Sequence, residues 1–273
     1  MLLGAHESVA GGLHNAVTRA VADGCESLQI FVKSPNRWAG PELTTEDISA
    51  FKAGSAAFGN NIVTHSAYLI NLASPKDEVR DKSIIAMKDE MARCDRIGVP
   101  YYVLHPGSPL DSGYAQGVSR IVYGIDEIYG DTGADVMLLL EGTAGMGNSI
   151  GGKLEHLEEI ISKCKFADKV GICLDTCHMY VAGYDLVNKY DEIMDEVFER
   201  FGGKLKVIHL NDSKGELDSH KDRHALIGKG FIGLDTFKRF VNDSRLKSVL
   251  GVLETPVDDN YADEIKLLKS LRV

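Results

Sequence analysis

Short apolar runs bounded by turn-forming residues recur along the chain at 2–6, 27–32, 62–66, 101–105, 136–141, 170–175, 206–210 and 249–254. Runs of that length predict buried strands. Between them lie segments with helical spacing, among them 79–97, 116–129, 154–164, 190–201 and 262–271. In the first of these, Ile84, Met87, Met91 and Cys94 fall three or four residues apart, so one helix face can cover a sheet. A strand followed by a helix, eight times over, predicts an α/β chain whose parallel strands close into a (β/α)8 barrel.

Polar residues end these runs in a consistent way. Ile62-Val63-Thr64 leads into His65, Tyr102-Val103-Leu104 into His105, Leu138-Leu139-Leu140 into Glu141, Ile172-Cys173-Leu174 into Asp175, Val207-Ile208 into His209 and Val252-Leu253 into Glu254. His178, Asp222 and His224 follow just past strand ends. Because side chains alternate along a strand, Val63 and His65, Val103 and His105, Leu139 and Glu141, Cys173 and Asp175, and Val252 and Glu254 share faces. In a barrel all of them point toward the mouth at the C-terminal strand ends, where barrel chemistry sits. A doubly wound open sheet would spread the same ends along a line and could not gather six of them.

Composition alters this picture little. At 273 residues, with 44% apolar and 26% charged positions and no linker-like stretch, the chain reads as a single domain over 1–273. Residues 1–6 lack a charged region followed by a long apolar segment, and no apolar stretch reaches membrane-spanning length, so neither secretion nor membrane insertion is expected. The five cysteines (Cys25, Cys94, Cys164, Cys173, Cys177) lack C-x-x-C spacing and read as reduced, packed thiols. Those features lead to the expectation of a cytoplasmic protein. A net charge of −10 argues against broad binding of polyanions. A local cationic site is still compatible with it, because three divalent ions would add six positive charges to a pocket holding four carboxylates.

Histidine nitrogen and carboxylate oxygen without thiolate are the donors of hydrolytic zinc or manganese sites, at about three protein ligands per metal. Nine donors suit three ions. Metals about 3.5–4 Å apart can clamp the oxygens of an in-line phosphoryl displacement, which points to phosphodiester hydrolysis. A single-metal sugar isomerase or epimerase on the same barrel would need only about four ligands.

The segments His65-Ser66-Ala67-Tyr68-Leu69-Ile70-Asn71-Leu72-Ala73, Gly171-Ile172-Cys173-Leu174-Asp175-Thr176-Cys177-His178 and His209-Leu210-Asn211-Asp212-Ser213-Lys214 resemble the three signatures of the endonuclease IV family, metal-dependent apurinic/apyrimidinic endonucleases. Gly4-Ala5-His6 with Gly11-Gly12-Leu13, His105-Pro106-Gly107-Ser108, Asp222-Arg223-His224 and Leu253-Glu254-Thr255-Pro256 extend the likeness from end to end. The resemblance implies a xylose-isomerase-like (β/α)8 TIM barrel with a trinuclear metal centre, zinc first and manganese as an alternative at some positions. The implied reaction is hydrolysis of double-stranded DNA immediately 5′ to an abasic site, leaving a 3′-hydroxyl and a 5′-deoxyribose phosphate, with 3′-end repair as a possible second activity. Position by position, His65, His105 and Glu141 would hold one metal. Glu141 would bridge, as the catalytic carboxylate, to a second held by Asp175, His209 and Glu254, and His178, Asp222 and His224 would hold the third. Arg37, Tyr68 and Leu69 are the implied DNA contacts. No side-chain nucleophile is implied, and a monomer is expected.

Two departures from the family pattern stand out. In Lys33-Ser34-Pro35-Asn36-Arg37-Trp38, Asn36 occupies the usual arginine position and Arg37 follows it. Gly142 stands where asparagine usually follows the bridging glutamate, which removes one candidate hydrogen-bonding side chain beside Glu141. The glycines Gly145, Gly147, Gly151 and Gly152 fit no dinucleotide or P-loop spacing and are expected to shape the loop after the fifth strand. His6, His14, His156 and His220 match no ligand position and are expected to be structural or surface residues.

Overall fold

The computed structural model describes residues 1–257 and 260–273. Eight parallel strands form a closed barrel: β1 (Leu2–His6), β2 (Ser27–Ile30), β3 (Ile62–His65), β4 (Tyr101–Leu104), β5 (Met137–Glu141), β6 (Val170–Asp175), β7 (Leu205–His209) and β10 (Leu250–Leu253). The remaining pair, β8 (Asp212–Ser213) and β9 (His224–Ala225), makes a small antiparallel ladder between β7 and the next helix. Nine α-helices are described: α1 (Leu13–Ala22), α2 (Thr45–Ser55), α3 (Asp77–Ile97), α4 (Tyr114–Thr132), α5 (Leu154–Lys163), α6 (Thr176–Val181), α7 (Tyr190–Phe201), α8 (Leu234–Asn242) and α9 (Ala262–Ser270).

The alternation seen in the sequence has a direct structural counterpart. Val63, Val103, Leu139, Cys173, Val207 and Val252 pack together as the barrel's inner core. Each lies two residues before His65, His105, Glu141, Asp175, His209 or Glu254, so the polar set forms the next layer up. A separate core joins the outer strand faces to the helices; Ile84, Met87, Met91 and Cys94 of α3 belong to it, as the helical spacing predicts. Glu90 and Arg93 are also buried on α3 and interrupt its apolar pattern.

Two local features set the register. Pairing between β6 and β7 jumps from Ile172↔Leu205 to Cys173↔Val207, and beyond that irregularity Asp175 lies opposite His209. Where β1 meets β2, Gly4 pairs with Ser27, and a Cβ on Gly4 would sit 1.9 Å from the Ser27 carbonyl oxygen. Only glycine permits that approach.

The structure corrects several boundaries. The runs ending at 32, 66, 105, 210 and 254 overshoot the strands, which stop at Ile30, His65, Leu104, His209 and Leu253. After β2 the apolar composition continues through Phe31 and Val32, whereas after β3, β4 and β10 the next residue is already polar (Ser66, His105, Glu254) as the backbone leaves the ladder for the loops. The eightfold repeat is also less regular than the pattern suggests. His178 lies on the short helix α6, whose N-cap is Asp175, and Asp222 and His224 come from the β8–β9 excursion rather than from a barrel strand.

Candidate metal centre

Glu141 is the hub of the barrel mouth, with no exposed surface. Its Oε2 lies 3.1 Å from His65 Nε2 and 3.0 Å from His105 Nε2. Its Oε1 lies 3.2 Å from His209 Nδ1 and 3.3 Å from His178 Nδ1. His209 Nδ1 is also 3.2 Å from Glu254 Oε2 and 3.8 Å from Asp175 Oδ2. On the far side, Asp222 lies 3.2 Å from His178 Nε2 and 3.3 Å from His224 Nε2. All nine predicted residues therefore meet in one cluster.

Neighbouring groups fix how most of the imidazoles are presented. His65 Nδ1 is 2.9 Å from the Ser66 carbonyl, His178 Nδ1 2.9 Å from the Gly142 carbonyl and His224 Nδ1 3.1 Å from the Glu254 carbonyl. Carbonyls only accept, so each Nδ1 carries the proton and each Nε2 is turned to the cluster. His209 is reversed: its Nε2 meets Gln29 Oε1 at 2.9 Å, and Nδ1 faces the acids. Because His178 is oriented by the carbonyl of Gly142, replacement of the usual asparagine leaves this particular contact in place. Asp175 Oδ1 accepts from the His178 amide and Oδ2 from Asn211 Nδ2, while the Asn211 carbonyl oxygen Oδ1 receives the Glu254 amide.

Electrostatics show what the cluster attracts. Burial alone would lower the His178, His209 and His224 pKa values, yet adjacent carboxylates raise all three, His224 to about 9. Burial would raise Glu141 and Asp222, yet the surrounding histidines hold both carboxyls well below their usual range. The pocket favours positive charge. Burial pushes the Cys173 and Cys177 thiols up to about 12, in keeping with packed, protonated cysteines.

The donor set fits divalent metal ions. Several overlapping groups have donor atoms lying within 4.8 Å of one another, among them His65, His105 and Glu141; Glu141, Cys173 and His209; Glu141, Asp175 and His178; Asp175, Cys177 and His224; and His178, Asp222 and His224. His224 Nε2 is buried and makes no directed hydrogen bond among the described residues. A buried, unpartnered imidazole nitrogen aimed at carboxylates calls for a cation.

Sequence reasoning missed Gln29, Asn211 and the role of His6. Gln29 is fully buried and donates to Glu254 Oε1 at 2.6 Å as well as facing His209. Its signal was an amide inside an otherwise apolar run. His6 was expected to be a structural or surface residue, yet it stands beside the centre: Nδ1 lies 2.9 Å from Glu254 Oε1 and its ring stacks 6.2 Å from that of His65. His14 and His156 lie outside the cluster, and His220 contacts the Ala144 carbonyl at 3.0 Å. Gly145, Gly147 and Gly151 have positive φ and shape the loop after β5, as anticipated.

Above the centre is a cavity of about 570 Å³ walled partly by Val9, Phe31, Pro35, Tyr68 and Tyr261. Tyr68 is 68% exposed, with its ring edge-on to Phe31 at 5.4 Å. Leu69 beside it is half-buried, and Asn36 and Arg37 are both exposed on the neighbouring loop.

The family described as xylose isomerase-like TIM barrel matches residues 17–271. A probable endonuclease 4 of Trichlorobacter lovleyi is 43% identical, covering 98% of this chain and 99% of its own. A probable endonuclease 4 of Halothermothrix orenii is 41% identical over 100% of this chain and 99% of its own. The crystal structure of endonuclease IV from Thermus thermophilus superposes with a TM-score of 0.89 at 34% identity, covering 99% of this chain and 98% of that one. A D-tagatose 3-epimerase-like protein superposes with a TM-score of 0.74 at 20% identity, which is likeness of fold alone. With relatives this similar over the full chain, the protein belongs to the endonuclease IV family.

Proposed function

We propose that this DNA-cleaving hydrolase hydrolyses the phosphodiester bond 5′ to abasic sites in double-stranded DNA, leaving a 3′-hydroxyl and a 5′-deoxyribose phosphate. Three divalent ions, zinc foremost, would be held by His65, His105 and Glu141; by Glu141, Asp175, His209 and Glu254; and by His178, Asp222 and His224. The observation that carries this reading is the convergence of these donors around both oxygens of Glu141. Bound there, the ions would supply Lewis acidity, ease deprotonation of water and offset charge on the phosphate and leaving oxygen.

The chain's own residues do the orienting. Gln29 and the carbonyls of Ser66, Gly142 and Glu254 fix which imidazole nitrogens face the centre. Asn211 holds Asp175 and the end of β10 together. In this reading Tyr68 and Leu69 enter the DNA stack and Arg37 meets the minor groove. A nucleotide lacking its base unstacks at low cost, so deformation of the duplex contributes to selectivity. The apolar wall formed by Phe31, Pro35 and Tyr261 would receive the extruded sugar. A single barrel domain acting as a monomer completes the proposal.

The test uses one duplex containing a tetrahydrofuran abasic analogue. Purified protein with about three metal ions per chain, the number three separate ligand sets would hold, is expected to nick the damaged strand 5′ to the lesion. Chelation should abolish the activity, zinc should restore it, and an undamaged duplex should stay intact. Failure to nick at full metal content, or a content near one ion per chain, would overturn the reading.

A further inference from the structure

Lys33 and Glu90 form an ion pair with side chains only 1% exposed, the ammonium 2.6 Å from Glu90 Oε1. Neither belongs to the metal centre. Lys33 lies in the loop after β2, where its ammonium also donates to the Arg37 carbonyl at 2.7 Å. Glu90 reaches out from α3, and its Oε2 accepts from the Ala67 amide at 3.2 Å and from the Tyr102 hydroxyl at 2.6 Å. Ala67 directly precedes Tyr68. The pair thus connects the backbone at Arg37 to the backbone beside Tyr68.

Other contacts run the same way. The Tyr68 amide donates to the Pro35 carbonyl at 3.0 Å, joining the two loops directly. Arg93, one helical turn from Glu90, donates to the Pro41 carbonyl at 2.8 Å, and Arg96 donates to the Leu43 carbonyl at 2.8 Å. A row of charged side chains on α3 therefore pins the β2–α2 loop through its main chain.

A buried ion pair contributes little net stability, because desolvation of the two charges offsets much of their attraction. What it does supply is geometry, since each partner uses further hydrogen bonds on one particular loop. We infer that Lys33 and Glu90 are positioning residues that hold the Arg37 loop and the Tyr68 loop as one rigid unit, and that this unit sets affinity for the damaged duplex independently of the chemistry below. The inference rests on the assignment of Arg37 and Tyr68 to DNA binding. Apart from that assignment, the mechanical link between the two loops stands on the contacts alone.

Two variants test it. Glu90→Gln keeps shape and an acceptor for Ala67 and Tyr102 but removes the charge facing Lys33; Lys33→Met with Glu90→Met replaces the pair by apolar volume. In both, native-state hydrogen exchange should show residues 34–38 and 66–69 losing protection together while the barrel strands stay unchanged. KM for an abasic-analogue duplex should rise about tenfold, the scale of one lost charged contact, with kcat and the hydrolysis of bis(4-nitrophenyl) phosphate within about twofold. Deprotection of one loop alone, or of neither, overturns the inference, as does a parallel fall in hydrolysis of the small diester. Glu90→Gln serves if the double variant does not fold. Failure of the parent protein to nick the abasic duplex would refute the functional reading, whereas the exchange experiment judges the mechanical link in either case.

Discussion

Gln29 Oε1 lies 2.9 Å from His209 Nε2, a contact between residues 180 positions apart, both without exposed surface. Gln29 thereby gives His209 the opposite tautomer to His65, His178 and His224 and turns its Nδ1 toward the acids.

Replacing Gln29 with Leu leaves that imidazole without an acceptor and Glu254 without its 2.6 Å donor. Zinc affinity at the position shared by His209 and Glu254 should fall by about 10–100-fold, the usual scale for partners behind metal ligands. Competition with a chromophoric chelator measures it. Unchanged affinity would mean that the tautomer is set by something other than Gln29.

Glu254→Gln and Cys177→Ala offer a contrast within one region. Glu254 Oε2 faces His209 at 3.2 Å, whereas Cys177 is a buried thiol pushed up to about 12 by burial. Incision of an abasic duplex should fall at least about 100-fold in the first and less than about threefold in the second, given the scale of charge stabilisation in such sites. Comparable losses would contradict the proposed ligand assignment.

The buried carboxyl of Glu7 gives a pH signature. Burial, helped by the charge of Asp23, raises its pKa from 4.5 to about 7. Between those values the folded state keeps a proton that the unfolded chain releases, so this group's contribution to stability declines as pH rises from 4.5 through about 7 and is level above. Glu7→Gln removes the decline. Urea unfolding of parent and variant should show the variant gaining on the order of 2 kcal/mol relative to the parent between pH 4.5 and pH 8. A constant difference across that range would show that Glu7 does not titrate this way.

Gly4 and Gly130 should respond oppositely to alanine. The Cβ at position 4 meets a neighbouring strand's carbonyl oxygen at 1.9 Å, whereas at position 130, an exposed position of α4, it meets nothing within 4 Å. Gly4→Ala is expected to cost more than about 3 kcal/mol through forced separation of β1 and β2. Gly130→Ala should add about 0.5–1 kcal/mol through helix propensity. Thermal unfolding ranks them, and tolerance of alanine at position 4 would show that the strands can separate.

Strand positions and the inward-facing polar layer were legible because alternation is a local consequence of extended backbone geometry. Val63 predicts the face of His65 whatever the rest of the chain does. The helix bearing His178 and the short ladder bearing His224 were not legible. Six residues of α6 carry too little periodicity, and the ladder exists only because Asp212 and Ser213 pair back onto His224 and Ala225. His6 and Gln29 were passed over for a related reason: each acquires its role from Glu254, more than 220 positions away.

By itself, the amino-acid sequence determined the barrel's strands, the face on which nine candidate ligands stand and the family likeness carried by their spacing. Tertiary structure decided which imidazole nitrogen each neighbouring group turns to the centre, and that Lys33 and Glu90 join two loops. The physical reason is range. Side-chain alternation is set by neighbours two residues apart, whereas a tautomer or a buried ion pair is set by a partner that only barrel closure brings within hydrogen-bonding distance.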